Sequence, residues 1–138
     1  MFRGVVQIDR NHIEEICAQI VDSAFSVHSA LGPGLLERVY QVCLAHELSL
    51  RSIPCEREVT LNVKYKDLEI DSAYRLDLLV SNEVIVELKA VETLLPVHRA
   101  QLLSYLRLMN KPVGFLINFN VSLIKDGIHR IVNRLPER

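Results

Sequence analysis

Several features that would reveal a protein's surroundings are scarce in this chain of 138 residues. Its three cysteines, Cys17, Cys43 and Cys55, are odd in number and scattered, without a CxxC pair. They fit reduced intracellular thiols better than a disulfide framework or a zinc site. No apolar run approaches the roughly 20 residues of a membrane span. The first residues turn polar too soon for a signal peptide. We therefore expect a cytoplasmic protein that makes no use of a membrane.

An excess of charge of one sign is also missing. The formal net charge is −1, so any contact with nucleic acid has to be local. The chain has no glycine-rich phosphate loop, no Ser-His-Asp or Cys-His pattern, and no internal repeat. Its length and its hydrophobic fraction of 49% are those of a folded domain with a real core. We expect one domain over residues 1–138.

The spacing of the apolar residues predicts the order of helices and strands. A helix over residues 11–31 ends at Gly32-Pro33-Gly34, because glycine allows a left-handed residue and proline cannot continue the helix. Two further helices are predicted over residues 35–50 and 96–110. Strands are predicted over residues 59–65, 68–70, 74–80, 84–90, 113–119 and 127–134. This order predicts an α+β protein or a three-layer sandwich around a mixed sheet.

One predicted hairpin carries charges that a core strand rarely tolerates. Asp77, Glu87 and Lys89 interrupt two apolar runs, and buried charges are costly unless they are paired or bound to metal. A three-residue turn over residues 81–83 would place Asp77 opposite Glu87, with Lys89 on the same face. A two-residue turn would place the two carboxylates on opposite faces. The interpretation as a site therefore requires the odd-length turn or a bulge.

Two facing carboxylates raise each other's pKa unless a cation lies between them. Mg²⁺ prefers oxygen ligands and keeps several waters, so one or two carboxylates plus a substrate phosphate suffice. A nearby lysine can orient the attacking water or stabilise charge on a phosphate. The hairpin is thus the outline of a phosphodiester-cleaving site. The alternative is a surface ion-pair cluster, which the apolar flanks make harder to explain.

Two helices contribute further candidates. Gln101 and Tyr105 lie four residues apart on one helix face, where they could contact phosphate or nucleoside. Their alternative explanation is a solvated helix face with a partly buried tyrosine. Glu37 lies in the first turn of the second helix and could add a carboxylate to the metal site. The helix dipole alone would also favour a carboxylate at that position.

The motif Gly34-x-x-Glu37-x-x-Tyr40 resembles the signature of the bacterial GxxExxY proteins. The resemblance continues through residues 74–80, 86–90, 101–106 and 116–120, and it covers the chain from about residue 14 to 133. That family is assigned to the PD-(D/E)XK nuclease-like superfamily. The resemblance therefore implies an α/β (α+β) fold with a restriction-endonuclease-like core, in which helices flank a central mixed β-sheet.

The resemblance also implies roles for individual residues. Asp77 matches the first metal carboxylate, although the proline that commonly precedes it is missing here. Glu87 and Lys89 match the (D/E)xK motif, so that Asp77, Glu87 and Lys89 would be catalytic. Gln101 and Tyr105 resemble the substrate-contacting QxxxY motif of RecB-like and Cas4-like nucleases. The implied ligands of Mg²⁺ (or Mn²⁺) are Glu37, Asp77, Glu87 and the carbonyl of Leu88.

These observations lead us to expect a metal-dependent nuclease acting on DNA or RNA. A second hypothesis is a nuclease-fold protein that binds nucleic acid or a protein partner without cleaving, which the neutral charge favours. A third is an assembly or toxin–antitoxin accessory protein. At this size we expect no separate recognition domain and no strong sequence specificity by one chain, although a homodimer could change that.

Overall fold

The computed structural model describes residues 9–137 and contains a mixed sheet with helices on both faces. The long helices are α1 (Arg10–Leu31), α2 (Glu37–Leu50) and α3 (Pro96–Met109). The strands are β1 (Cys55–Tyr65), β2 (Leu68–Val80), β3 (Val84–Lys89), β4 (Val113–Asn118) and β5 (Ile128–Val132). A short 3₁₀ helix, Ile124–Asp126, precedes β5. This arrangement confirms the fold class expected from the sequence.

The five strands follow one another across the sheet in chain order. Neighbouring strands are antiparallel except β3 and β4, which run parallel. A parallel pair cannot be joined by a tight turn and needs a crossover connection, which α3 supplies here. The C-terminal ends of β3 and β4 therefore lie side by side, where Glu87 pairs with Leu116 and Lys89 with Asn118.

Local signals account for the helix ends. Asp9 caps α1, since its side chain accepts a hydrogen bond of 2.7 Å from the backbone N–H of His12. Pro96 begins α3, where a missing N–H costs nothing. Asn110 ends α3 with a left-handed φ of 54°. No helix within residues 9–137 is both long enough and apolar enough to cross a bilayer.

Apolar side chains fill the space on each side of the sheet, which gives three layers. The helices α1 and α2 cover one face, and α3 covers the other. Alternate residues of β3 divide between the layers: Val84, Val86 and Leu88 pack toward α1 and α2, whereas Ile85 packs toward α3. The buried core strands explain the near-continuous apolar runs in the sequence.

The structure corrects the prediction of two separate strands over residues 68–70 and 74–80, because β2 runs through both. The register against β1 shifts between Leu61 and Val63, so the polar residues before Tyr74 form an irregularity rather than a break. Ser72 has a positive φ of 50°, and its N–H donates a 2.7 Å hydrogen bond to the Asn62 side chain. This bond holds the irregular residues in the hairpin.

Candidate active site

The candidate site lies where β2 and β3 part. Only three residue pairs join these strands, ending at Leu78 and Val86, although both strands continue past them. Val80 pairs with Val84, which confirms the predicted three-residue turn. Beyond Leu78, β2 stays with β1, and β3 stays with β4. The two strands therefore open a fork in the middle of the sheet, lined by backbone groups that need other partners.

Asp77 and Glu87 supply those partners. The backbone N–H of Asp77 donates to Oε1 of Glu87 at 3.0 Å, and the N–H of Leu88 donates to Oδ2 of Asp77 at 2.8 Å. The two side chains thus replace the ladder of hydrogen bonds one residue beyond its last pair. The fork brings together the two carboxylates that the hairpin register predicted to face each other.

Burial makes this carboxylate pair electrostatically unusual. Glu87 is only 8% exposed. Burial, followed by the negative charge of Asp77, raises the pKa of Glu87 to about 8. The N–H bond from Asp77 and the positive charge of Lys89 oppose this rise without cancelling it. Without a cation, the Glu87 carboxyl therefore holds a proton at neutral pH.

Glu37 lies near the same group of charges. Burial raises its pKa, the charge of Asp77 raises it further, and the charge of Lys89 lowers it. Glu37 has no hydrogen bond to either carboxylate of the fork, and the charges that act on it are those of Asp77 and Lys89. Within residues 9–137, no three His, Cys, Asp or Glu side chains converge closely enough to hold a metal ion by themselves. Two carboxylates are in contact, and the third stands back from them.

A sharp connection before α2 fixes the position of Glu37. Gly32 and Gly34 both have positive φ, of 68° and 97°, which glycine adopts without strain. The hydroxyl of Tyr40 donates to the carbonyl of Gly32 at 2.6 Å and accepts from the N–H of Leu35 at 3.1 Å. Tyr40 is fully buried. In the GxxExxY pattern, glycine and tyrosine thus shape the connection, and the glutamate is placed within range of the charges of Asp77 and Lys89.

Two site residues were missed by the reasoning from sequence. The amide nitrogen of Gln41 donates to Oδ1 of Asp77 at 3.2 Å. Its amide oxygen accepts from Nε and Nη2 of Arg57 at 3.4 and 3.3 Å, which fixes the amide orientation. Gln41 follows Glu37 by four residues on α2, and this spacing is the signal that could have found it. Arg57 lies on β1, where nothing in the sequence points to Asp77.

On the face of the sheet opposite to α2, the helix α3 places Tyr105 near the two carboxylates. Burial raises the pKa of Tyr105 to about 12, with smaller contributions from the negative charges of Glu87 and Asp77 and from Tyr74. Gln101 hydrogen-bonds to the Tyr105 side chain. Gln101 and Tyr105 therefore lie beside the fork, on the face of the sheet that α3 covers. Gln101 is the more exposed of the two.

Lys89 supplies a positive charge close to the carboxylates of the site. It lies two residues after Glu87 on β3, and its charge acts on both Glu37 and Glu87. It takes part in none of the ion pairs formed within residues 9–137. The arrangement thus combines a buried carboxylate pair, a third carboxylate and a cation around one fork, with α2 and α3 on either side.

Comparison with known proteins places the chain in a family. The model of the PD-(D/E)XK nuclease superfamily matches residues 14–131, and the chain belongs to that superfamily. Enzymes of this superfamily typically use divalent metal ions, and the membership suggests a nuclease that binds nucleic acid.

Structural similarity agrees on the fold. The crystal structure of SSO0001 aligns with a TM-score of 0.50 at 21% sequence identity, over 94% of this chain. The chain spans 63% of the length of SSO0001, and at this identity the likeness concerns the fold alone. No curated protein matches the chain in sequence.

Proposed function

We propose that this chain is a Mg²⁺- or Mn²⁺-dependent nuclease that hydrolyses phosphodiester bonds in DNA or RNA, and a GxxExxY member of its superfamily. The observation that carries the proposal is the buried pair of Asp77 and Glu87, whose side chains take over the backbone partners at the fork. Burial and the charge of Asp77 raise the pKa of Glu87. Such a pair is destabilised when both groups are ionised, and a divalent cation between them removes the repulsion.

The oxygen donors at the fork fit a hard divalent cation. Asp77 and Glu87 would hold the ion, with Glu37 and the Leu88 carbonyl as further ligands. Mg²⁺ commonly takes one or two carboxylates and keeps its remaining waters, so two contacting carboxylates are a sufficient protein contribution. When bound, the cation supplies Lewis acidity and lowers the pKa of a coordinated water.

The other residues act on the substrate and on Asp77. The Lys89 ammonium would orient the attacking water or stabilise negative charge on the scissile phosphate. Gln101 and Tyr105 would contact the nucleic acid from α3. Gln41 would hold the Asp77 carboxylate in place through the hydrogen bond it already makes. Each of these roles uses a side chain that lies at the fork or on a helix beside it.

Cleavage of end-labelled single- and double-stranded DNA and RNA tests this proposal. Purified protein should cleave at least one substrate with Mn²⁺ and none with chelator, and Asp77→Ala should abolish cleavage. Asp71→Ala is the matched control, because Asp71 is exposed on the same strand, away from the fork. Absence of metal-dependent cleavage on all four substrates, together with absence of Mn²⁺ binding in calorimetry, would refute the proposal.

One observation favours a second candidate, a protein that binds nucleic acid or a protein partner without cleaving. Both oxygens of Asp77 already accept hydrogen bonds from protein donors, Gln41 and Leu88. A pure binding protein should keep its affinity for nucleic acid after Glu87→Gln and in chelator, whereas a nuclease should lose metal-dependent cleavage. Both proposals are compatible with a homodimer, and sedimentation velocity measures the oligomeric state.

A further inference from the structure

A groove opens beside the fork, on the side of the sheet that α3 covers. It has a volume of about 490 Å³ and lies between α3 and the hairpin of β1 and β2. Its lining includes two tyrosines, apolar walls and two uncharged polar side chains: Tyr74, Tyr105, Val97, Leu108, Gln101 and Ser104. Because Gln101 and Tyr105 belong to both, the groove is continuous with the candidate site.

Tyr74 is the most unusual part of this lining. Its side chain is 45% exposed, although it is a large aromatic residue next to a packed core. Its ring lies against that of Tyr105, with the centroids 5.3 Å apart and the planes tilted by 50°. Tyr105 is itself buried, so Tyr74 is supported on one side and open on the other. This geometry provides a fixed aromatic surface facing the groove.

The charge of the groove points to the kind of group it would accept. All the residues that line it are uncharged. The whole chain has a formal net charge of −1, so it offers little general attraction for the phosphates of a duplex. A flat, uncharged ring with polar edges suits such a groove better than a phosphate does. Nucleobases have this chemistry, and aromatic side chains bind them by stacking.

We propose that this groove binds an unpaired base of a single-stranded nucleic acid, with Tyr74 as its stacking surface. Tyr74 precedes Asp77 by three residues on β2, a distance of about 10 Å along a strand. One bound strand can therefore place a base in the groove and a phosphate at the carboxylates. The inference rests on the proposed function and adds a substrate class to it, since bases stacked within a duplex cannot enter the groove.

Binding measured without cleavage tests the inference. Fluorescence anisotropy in EDTA would compare a labelled oligothymidylate, an abasic oligonucleotide of equal length and a duplex of the same length. The variants are Tyr74→Leu, Tyr74→Phe and Tyr65→Leu. Tyr65 is the matched control, because it is 63% exposed on the same hairpin and does not line the groove. Thermal unfolding of each variant checks that the fold is intact.

The expected result is specific to the base and to the ring. Tyr74→Leu should weaken binding of the oligothymidylate about tenfold or more, which is the usual effect of losing one stacked base. Tyr74→Phe and Tyr65→Leu should stay within about twofold of the unaltered protein, because both keep the Tyr74 ring or its equivalent. The abasic strand should bind more weakly than the oligothymidylate and should not distinguish Tyr74→Leu from the unaltered protein.

Three results would overturn the inference: equal binding of the oligothymidylate by Tyr74→Leu and the unaltered protein, tighter binding of the duplex, or equal binding of the abasic strand. A change in sedimentation of Tyr74→Leu with unchanged oligonucleotide binding would assign the groove to a second copy of the chain instead. A cleavage assay with Mn²⁺ distinguishes failure of this inference from failure of the proposed nuclease function. Equal binding of the oligothymidylate by Tyr74→Leu and the unaltered protein, with metal-dependent cleavage present, would overturn the inference alone, whereas Tyr74-dependent binding without any cleavage would overturn the nuclease alone.

Discussion

The chemistry of the site depends on the protonation of one side chain, Glu87. Its carboxylate lies in the core beside Asp77, and its pKa rises to about 8. A metal ion must displace the proton that Glu87 holds at neutral pH, so metal affinity should rise with pH. The site is therefore not a preformed pair of negative charges, and metal and proton compete for it.

The same pKa makes the stability of the metal-free protein depend on pH. In the unfolded chain Glu87 ionises near its ordinary pKa, so from about pH 5 to pH 8 the folded state holds a proton that the unfolded state has lost. The free energy of unfolding should therefore fall as pH rises across this range, by about 3 kcal/mol. Urea unfolding in EDTA at several pH values measures it.

The matched variants for this measurement are Glu87→Gln and Glu69→Gln. Glu87→Gln should remove most of the fall in the free energy of unfolding between about pH 5 and pH 8, because the glutamine amide is neutral at every pH in this range. Glu69 is exposed on β2, so Glu69→Gln should keep the pH dependence of the unaltered protein. Parallel pH profiles for all three proteins would show that Glu87 does not titrate in this range.

In the proposed site, we infer that Arg57 and Gln41 position Asp77. Since Arg57 holds the Gln41 oxygen, it directs the amide N–H toward Asp77. Arg57→Gln should lower kcat about tenfold with little change in KM, because positioning errors of this kind raise the barrier of the chemical step. Steady-state cleavage measures both constants. The control is Arg75→Gln, an exposed arginine on the neighbouring strand; a rise in KM alone would mean that Arg57 binds phosphate directly.

The helix α2 connects the fold to the candidate site through Tyr40, Glu37 and Gln41, of which Gln41 contacts Asp77 directly. Tyr40 closes the connection before the helix, and Glu37 reaches the charges at the fork. Structural and functional roles therefore alternate within a single turn of one helix. This division predicts opposite effects for two conservative substitutions.

Tyr40→Phe should lower the free energy of unfolding by about 0.5–1.5 kcal/mol, because it removes both hydrogen bonds of the Tyr40 hydroxyl, to the Gly32 carbonyl and from the Leu35 N–H. Its affinity for Mn²⁺ should change little, since Phe keeps the ring that stacks on Phe119. Glu37→Gln should leave stability unchanged or raised, because burial disfavours the charged form of Glu37. It should weaken Mn²⁺ binding. Urea unfolding measures stability, and calorimetry measures Mn²⁺ affinity. If one variant were the weaker in both measurements, the separation of a structural role for Tyr40 from a metal-binding role for Glu37 would be contradicted.

The sequence predicted the elements whose apolar residues repeat at a clear spacing. The predicted helices over residues 11–31, 35–50 and 96–110 agree with α1, α2 and α3 to within two residues at each end. Beyond these, β1 begins at Cys55, four residues before the predicted start, because the charged residues 56–58 conceal its pattern. Glu58 has a positive φ of 54°, which disturbs the alternation that identifies a strand.

The site was predictable only where chain neighbours define it. The hairpin register places Asp77 near Glu87 through a three-residue turn, and Lys89 follows from alternation. The link from Arg57 through Gln41 to Asp77 joins three elements, and no spacing within one element reveals it. The β2–β3 ladder ends one residue before the two carboxylates. This could not be predicted from the sequence either, because it depends on how each strand pairs with its other neighbour.

The molecule as a whole presents a nuclease-superfamily fold with little overall charge. A near-neutral protein gains little from general phosphate attraction, so we propose that substrate binding comes from the fork and the groove beside it. The carboxylates, Lys89 and the tyrosines face this one region. A divalent cation at the fork would add the positive charge that the chain itself lacks.

Crystals soaked in Mn²⁺, examined by anomalous diffraction, measure whether the fork holds a cation. We expect an anomalous peak between Asp77 and Glu87, at about 2.0–2.6 Å from a carboxylate oxygen of each, as for other hard divalent cations. The peak should vanish in crystals of Asp77→Asn and persist in Asp71→Asn. An empty fork at saturating Mn²⁺, with peaks only at other surface carboxylates, would contradict the metal site and the nuclease mechanism built on it.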